Sequence, residues 1–374
     1  MNDKLIRIEE LDENMRITEV TEQGLKWISP HDFTYMVAGL AWYKHERLYR
    51  RLPVQAQISI PSAVDALANH TTGGQLRFRT NSTSLSIQVT LDSPASMDHM
   101  PATGQCGFDC YIEKNERLHF CSTTRFDHTK DHYESVMMKD MTAEMREIVL
   151  NFPLYQGVKE IRLGIDSQAT IVAPTAYLNE GKVIFYGTSI TQGGCANRPG
   201  MVYTNILSRR FPLEFINLGF SGNGRGEPEM AQLISEIEQP ACLVLDYEGN
   251  CPSVEEMART LPEFIRIYRS LHPKVPILVL TRPCFASDTF QDEILQKKLA
   301  MIQTQAHIVN DLQSAGDEQV YFQNGSELFG LDFAECTVDG GHPTDLGFQR
   351  MADKLTPVLA DILRLSGSCV TPII

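Results

Sequence analysis

The sequence predicts two domains: an all-β sandwich or jelly roll, followed by an α/β domain with a parallel sheet and helices on both faces. The chain has 374 residues, and at roughly 150 residues per domain this length favours two domains over one. Short stretches of alternating polarity fill the first half, whereas apolar strands alternate with helical stretches in the second. We place the two domains at residues 1–178 and 179–374.

Alternation of apolar and polar residues marks the strands of the first half. Leu76 to Thr90 alternates around a polar Asn-Ser-Thr-Ser break, a pattern that is typical of a hairpin. Phe108 to Phe120 repeats this pattern, with a turn at Lys114 to Glu116. Glu147 to Leu154 and Lys159 to Ile165 add two further stretches. Closely spaced strands with few helical stretches indicate an antiparallel sandwich or jelly roll.

The second half alternates between short apolar strands and helical stretches. The predicted strands are residues 183–186, 215–218, 241–246, 276–280 and 320–322. The predicted helices are residues 201–211, 228–238, 254–271, 290–313 and 344–365. This alternation implies a parallel sheet with helices on both faces. The strands are apolar throughout, as expected when both faces of a sheet are buried.

Charge and composition exclude several classes of partner. The formal net charge is -14, so the surface repels phosphate backbones and anionic lipid, and we expect neither a nucleic acid nor a membrane partner. The N-terminus lacks the apolar core of a signal peptide, so we expect a cytoplasmic protein unless a leader has been removed. Nine cysteines without a CxxC pair favour free thiols in a reducing compartment.

Ser189 is the candidate nucleophile. In open α/β sheets, ligands bind beyond the carboxyl ends of the strands, and Ser189 lies between the first parallel strand and a helix. Gly187 allows a tight turn there without a Cβ clash. The alternative is a turn serine that only caps the next helix. The motif is neither the GxSxG nucleophile elbow nor the GxxxxGK[ST] phosphate loop.

His342 is the candidate general base, and it directly precedes the last predicted helix. A serine hydroxyl becomes a good nucleophile only when a base removes its proton, which histidine does near neutral pH. Asp339 could accept a hydrogen bond from the imidazole and fix its orientation. Alternatively, Asp339 only shapes a Gly-Gly turn, while Thr344 or Asp345 caps the helix.

Two more loops could stabilise an oxyanion, because acyl transfer needs donors aimed at the developing negative charge. The loop after the second parallel strand contains Gly222, whose N–H is a plausible donor. The loop after the third strand contains Asn250, whose side-chain amide is another. Either loop alone could be an ordinary turn. Together they meet Ser189 and His342 at one edge of the predicted sheet.

These four blocks resemble the SGNH (GDSL-like) hydrolase superfamily, whose last block reads Asp-x-x-His-Pro. The resemblance covers residues 180–366 and implies a flavodoxin-like sheet. It also implies an activity that needs neither a metal nor a cofactor. It implies that Ser189 is the nucleophile, that His342 is the base and that Asp339 orients this base. It also implies an oxyanion hole formed by the amides of Ser189 and Gly222 and by the side chain of Asn250.

A subgroup of this superfamily is especially similar. Residues 187–200 read Gly-Thr-Ser-Ile-Thr-Gln-Gly-x-x-x-x-Arg-Pro-Gly, as in members with an N-terminal β-domain that carries a Gly-x-Asp-Leu-Tyr motif. The matching stretch is Gly107 to Tyr111, in which Cys110 replaces the leucine. A second departure is the Tyr-Glu-Gly before Asn250, where relatives usually have a proline. Arg198 is a candidate substrate-binding residue, or else an ordinary ion-pair former.

The resemblance implies a serine esterase. By analogy with two-domain carbohydrate esterases, we expect it to remove a small acyl group, acetyl, from a carbohydrate or another small-molecule ester. The β-domain could bind the sugar, wall the active site or only cover the catalytic domain. One alternative is a phosphoesterase with a metal held by Asp246, Asp339 and His342, and another is a non-catalytic carbohydrate-binding protein. The oligomeric state does not follow from the sequence.

Overall fold

The computed structural model describes residues 8–12, 15, 24–365 and 370. The strands are β1 Leu25–Ile28, β2 Val37–Ala38, β3 Gln75–Thr80, β4 Leu85–Leu91, β5 Asp109–Lys114, β6 Arg117–Thr123, β7 His132–Met138, β8 Arg146–Asn151, β9 Val158–Asp166, β10 Ile171–Val172, β11 Lys182–Gly187, β12 Glu214–Gly219, β13 Pro240–Asp246, β14 Ile277–Leu280 and β15 Val320–Gln323. The α-helices are α1 Ile8–Leu11, α2 Tyr43–Glu46, α3 Ser62–Leu67, α4 Ala102–Gln105, α5 Ser189–Gln192, α6 Tyr203–Ser208, α7 Pro228–Ser235, α8 Val254–Leu271, α9 Ser287–Phe290, α10 Asp292–Ser314 and α11 Asp345–Ile362. Short 3-10 turns are Pro30–Asp32, Pro199–Met201, Glu248–Asn250, Gly325–Glu327 and Phe333–Cys336.

Strands β1 to β10 form the predicted sandwich of two antiparallel sheets. One sheet has the order β1-β9-β4-β7, and the other has the order β10-β3-β8-β5-β6 with β2 beside β3. Apolar side chains from both sheets meet in one core, among them Phe78, Ile87, Ile148 and Leu163. The strands alternate in polarity because each sheet buries one face against the other.

The hairpin predicted over residues 76–90 is wrong, although both of its strands exist. Strand β3 pairs with β8, whereas β4 pairs with β7 and β9, so residues 81–84 cross from one sheet to the other. Alternating polarity is the same in both arrangements and does not reveal which strand is the partner. The second hairpin is present, since β5 pairs with β6 through Asn115 and Glu116 at φ angles of 54° and 61°.

Strands β11 to β15 form one parallel sheet in the flavodoxin-like order β12-β11-β13-β14-β15. Val183 and Phe185 of β11 pack with residues of α6 and α11, while Ile184 and Tyr186 pack with residues of α7 and α8. Both faces are therefore covered, which explains why the strand is apolar throughout. The register places Gly187 beside Gly219 on β12 and beside Asp246 on β13, so the carboxyl ends of three strands adjoin.

The two halves of the chain share their hydrophobic cores. Leu52 and Val64 of the first half pack on the face of the parallel sheet that holds α7 and α8. Met100, Leu154 and Tyr155 pack on the opposite face. Segments of the first half therefore pack against both sides of the α/β domain, so a free linker does not separate the two halves.

Two further features concern the cysteines and the helices. Eight of the nine cysteines lie in the described part of the chain, and these eight are free thiols. Cys369 lies outside the described residues. None of the described helices combines the length and the apolar composition that are needed to cross a bilayer.

Candidate active site

The turn after β11 places Ser189 at the carboxyl edge of the parallel sheet. Thr188 caps α5 by accepting a hydrogen bond from the Ile190 amide at 3.2 Å. Ser189 is thus the first residue of this helix and not its cap, so the capping alternative is wrong. A Cβ at Gly187 would collide with the Thr191 hydroxyl and with the Asp246 carbonyl, which is why this turn requires glycine.

Ser189, His342 and Asp339 are joined by consecutive hydrogen bonds. The Ser189 Oγ lies 2.8 Å from the His342 Nε2, and the His342 Nδ1 lies 2.7 Å from the Asp339 Oδ2. Partial burial raises the pKa of Asp339, but hydrogen bonds from the His342 ring, the His342 amide and the Gly341 amide lower this pKa to about 2. An ionised Asp339 holds a proton on Nδ1, which leaves Nε2 to accept the serine proton.

Backbone and side-chain donors border the same edge of the sheet. Within the part of the chain that the structure describes, the amides of Ser189 and Gly222 have no acceptor. Gly222 has a φ of 68°, and a Cβ there would meet nothing within 4 Å, so the space beside its Cα is open. Asn250 donates to the Phe220 carbonyl at 3.2 Å, which leaves its second amide hydrogen available. Such donors can stabilise a developing oxyanion.

Residues of the first half contact the loops of the candidate active site, and no sequence pattern marked these residues. Tyr155 donates a hydrogen bond to the Ser189 carbonyl at 3.1 Å. The buried guanidinium of Arg51 donates to the Gly219 carbonyl and lies 4.5 Å from the centre of the Phe220 ring. The first half of the chain therefore supports both the Ser189 turn and the start of the Gly222 loop. Isolated tyrosines and arginines carry no local signal, so only the tertiary structure could reveal these contacts.

Arg198, the candidate substrate-binding residue, has other partners. Its Nη1 donates to the Asp109 carboxylate at 2.7 Å and to the Tyr111 hydroxyl at 2.6 Å. Its guanidinium also lies 3.8 Å from the centre of the Phe120 ring. These contacts join the motif around Asp109 in the sandwich to the motif after β11. They do not support substrate binding by Arg198, which stays a prediction.

Both halves of the chain match known families. Residues 180–360 match the model of the GDSL-like lipase/acylhydrolase family, and residues 25–171 match that of the N-terminus of SGNH-hydrolase-type esterases. The chain belongs to the SGNH, or GDSL-like, hydrolases. The family assignment makes it an ester-hydrolysing serine hydrolase, and the predicted superfamily, subgroup and fold are confirmed.

Several solved structures have the same architecture as this SGNH hydrolase. A GDSL-like lipase from Bacteroides ovatus is 29% identical with a TM-score of 0.84, over 91% of this chain and 99% of that chain. A salicylyl-acyltransferase from a tetracycline biosynthetic pathway is 18% identical with a TM-score of 0.72, over 92% and 99%. A family two carbohydrate esterase from Cellvibrio japonicus is 15% identical with a TM-score of 0.59, over 91% and 98%. Among curated proteins, none matches the chain.

Asp246 lies buried behind the Ser189 turn of this SGNH hydrolase. Its Oδ2 accepts hydrogen bonds from Thr191 Oγ1 at 2.9 Å and from the Tyr203 hydroxyl at 2.7 Å. Thr191 Oγ1 in turn accepts from the Thr188 amide at 3.1 Å, so Asp246 helps to fix the turn. Burial raises the pKa of Asp246 to about 7, although both hydrogen bonds act to lower it.

We expect Asp246→Asn to stabilise the protein at alkaline pH but not at acidic pH. The folded-state pKa lies above the unfolded value of 3.8, so the wild type loses stability as pH rises from about 4 to about 7, and the asparagine variant does not. The advantage of the variant should reach about 2–4 kcal/mol above pH 7. Urea unfolding at acidic and at alkaline pH measures it. Asp361→Asn, at an exposed site, is the control, and an effect of Asp246→Asn that is independent of pH would contradict the prediction.

Proposed function

We propose that this SGNH hydrolase removes a small acyl group, acetyl, from a carbohydrate through an acyl-enzyme on Ser189. The observation that carries the proposal is the pair of hydrogen bonds from Ser189 Oγ to His342 Nε2 and from His342 Nδ1 to Asp339, at 2.8 Å and 2.7 Å. This arrangement supplies a nucleophile, a base and a group that orients the base.

The first half of the proposed reaction forms the acyl-enzyme. Ser189 Oγ bonds to the carbonyl carbon of the ester while His342 Nε2 takes the hydroxyl proton. The negative charge on the carbonyl oxygen is stabilised by the amides of Ser189 and Gly222 and by the Asn250 side chain. The carbon–oxygen bond to the sugar then breaks, and His342 returns the proton to the departing sugar oxygen.

The second half regenerates the enzyme. A water molecule gives a proton to His342 and bonds to the acyl carbon, and the bond to Ser189 Oγ breaks as the serine recovers its proton. The imidazolium that forms in both halves lies next to the ionised Asp339, whose negative charge stabilises it. Each step uses only water, the substrate, and side chains and backbone amides of this chain.

The carbohydrate part of the proposal rests on likeness of fold. Two neighbours with the same two-domain architecture are named family two carbohydrate esterases, and the structure of one, from Clostridium thermocellum, is in complex with cellohexaose. Their identities of 15–16% support the fold alone. The identity of the substrate as a carbohydrate therefore needs a direct test with acetylated sugars.

The two alternatives fit the site less well. In the described residues, the group that could share one metal ion consists of His99, Cys195 and His342 and includes neither Asp246 nor Asp339, so the proposed phosphoesterase site lacks its ligand set. A non-catalytic carbohydrate-binding protein would not need a serine hydrogen-bonded to an oriented imidazole. The same hydrogen-bonded arrangement that supports the esterase thus argues against the binding protein.

We expect faster hydrolysis of p-nitrophenyl acetate than of p-nitrophenyl octanoate, and release of acetate from at least one O-acetylated sugar. Both assays should be run with a chelator present. The chelator would stop metal-dependent hydrolysis, whereas hydrolysis that depends on Ser189 would continue. Preference for octanoate would overturn the small-acyl assignment. Hydrolysis of acetate without release from any member of an acetylated sugar panel would overturn the carbohydrate assignment.

A further inference from the structure

A cluster of potential metal ligands lies beside the proposed general base. One ligand atom from each of His99, Cys195 and His342 lies within 4.8 Å of the other two. His99 comes from the loop between β4 and α4, and its ring centre lies 6.0 Å from that of His342 in an edge-on arrangement. Cys195 is buried in the loop after α5 with a φ of 76°. The three residues therefore come from three separate parts of the chain.

Both histidines have a carboxylate next to Nδ1, which is typical of histidines that bind zinc through Nε2. Nδ1 of His342 lies 2.7 Å from Asp339, and Nδ1 of His99 lies 3.1 Å from the Asp98 carboxylate. A carboxylate on Nδ1 keeps the proton there and leaves Nε2 free to bind a metal. Both rings are thus prepared to bind through Nε2.

We propose that His99, Cys195 and His342 form a Zn²⁺ site that inhibits this enzyme. Two imidazoles and a thiolate are ligands that zinc prefers, and they leave the fourth tetrahedral position to water. Tetrahedral zinc holds such ligands about 3.4 Å apart, so ligand atoms that now lie up to 4.8 Å apart need to approach one another by up to about 1.4 Å. Cys195 gives up its thiol proton to solvent as the sulfur–zinc bond forms, and no electron is transferred.

Binding and hydrolysis exclude each other because they use the same nitrogen. Nε2 of His342 is the atom that lies 2.8 Å from Ser189 Oγ. Zinc on Nε2 removes the acceptor for the serine proton, and the negative net charge of the chain draws cations towards the protein. The inhibitory effect rests on the proposed role of His342, whereas the binding of zinc does not.

The test of binding uses the full chain with Ser189→Ala, which needs no turnover. Titration with Zn²⁺ against a chromophoric chelator should give one site, and His99→Asn and Cys195→Ser should each weaken this site at least tenfold. His119→Asn and Cys121→Ser, which alter an exposed histidine and an exposed thiol of β6, should leave it unchanged. Co²⁺ should produce a thiolate charge-transfer band that disappears with Cys195→Ser. Absence of a site, or a site that both variants retain, would overturn the proposal.

The test of inhibition uses the otherwise wild-type enzyme. Micromolar Zn²⁺ should abolish hydrolysis of p-nitrophenyl acetate, and chelator should restore it, while Mg²⁺ has no effect. His99→Asn and Cys195→Ser should hydrolyse the ester within about twofold of wild type and should need at least tenfold more Zn²⁺ for inhibition. Zinc that binds without slowing hydrolysis would overturn the inhibitory role. If no form hydrolyses the ester, the proposed function fails while the binding test still decides whether the site exists.

Discussion

Ser189→Ala should lower kcat for p-nitrophenyl acetate on the order of 10⁴- to 10⁶-fold, because in the proposed mechanism no other group replaces the hydroxyl that forms the acyl-enzyme. The fold should not change. The hydrogen bond from Ser189 Oγ goes to His342, which is half-buried and can bond to water instead. We expect a free energy of unfolding within about 0.5 kcal/mol of wild type. Steady-state kinetics and urea unfolding provide the two measurements.

Two further variants test whether the loss of activity is specific to Ser189 and its hydrogen-bonded partners. Ser270→Ala removes a hydroxyl from the exposed end of α8 and should leave kcat unchanged. Asp339→Asn should lower kcat by roughly 10²- to 10⁴-fold, less than Ser189→Ala, because His342 remains a base even when it is less well oriented. A fluorophosphonate probe should label the wild type and not Ser189→Ala. Hydrolysis by Ser189→Ala within tenfold of wild type would remove Ser189 as the nucleophile.

The sequence predicted the second half of the fold better than the first. The α8 helix begins and ends as predicted, at Val254 and Leu271, because a long amphipathic pattern and the Ser253 cap are both local signals. The pairing of β4, by contrast, has no local signal. Whether β4 pairs with β3 or with β9 depends on how the two sheets face each other. Alternating polarity indicates only which residues are buried, so it could not exclude a hairpin.

The candidate active site shows a similar division. Short motifs led to Ser189 and His342, which are 153 positions apart in the chain yet hydrogen-bonded in the structure, because strand ends in a parallel sheet meet at one edge. The support from Tyr155 and Arg51 could not be foreseen. These residues donate hydrogen bonds to backbone carbonyls of the α/β domain. Every residue has a backbone carbonyl, so the sequence does not show which one accepts.

The contact between the two subgroup motifs explains why they occur together in this chain. Asp109 is fully buried and accepts hydrogen bonds from Arg198 at 2.7 Å, from the Gly200 amide at 2.7 Å and from Asn151 at 2.8 Å. Asp109 belongs to the sandwich, whereas Arg198 and Gly200 follow the Ser189 turn. A buried carboxylate needs such partners, so each motif supplies what the other lacks.

Asp109→Ala should therefore destabilise the protein by about 3–5 kcal/mol, because it leaves the Arg198 guanidinium without its counter-ion and two further donors without an acceptor. Arg198→Ala should cost a similar amount, and the double variant should cost less than the sum of the two. Urea unfolding measures all three. Arg259→Ala, which breaks an exposed ion pair with Glu256, should cost less than about 1 kcal/mol. If Arg198 instead bound substrate, Arg198→Ala would raise KM and leave the unfolding transition in place, which would contradict a role in joining the two domains.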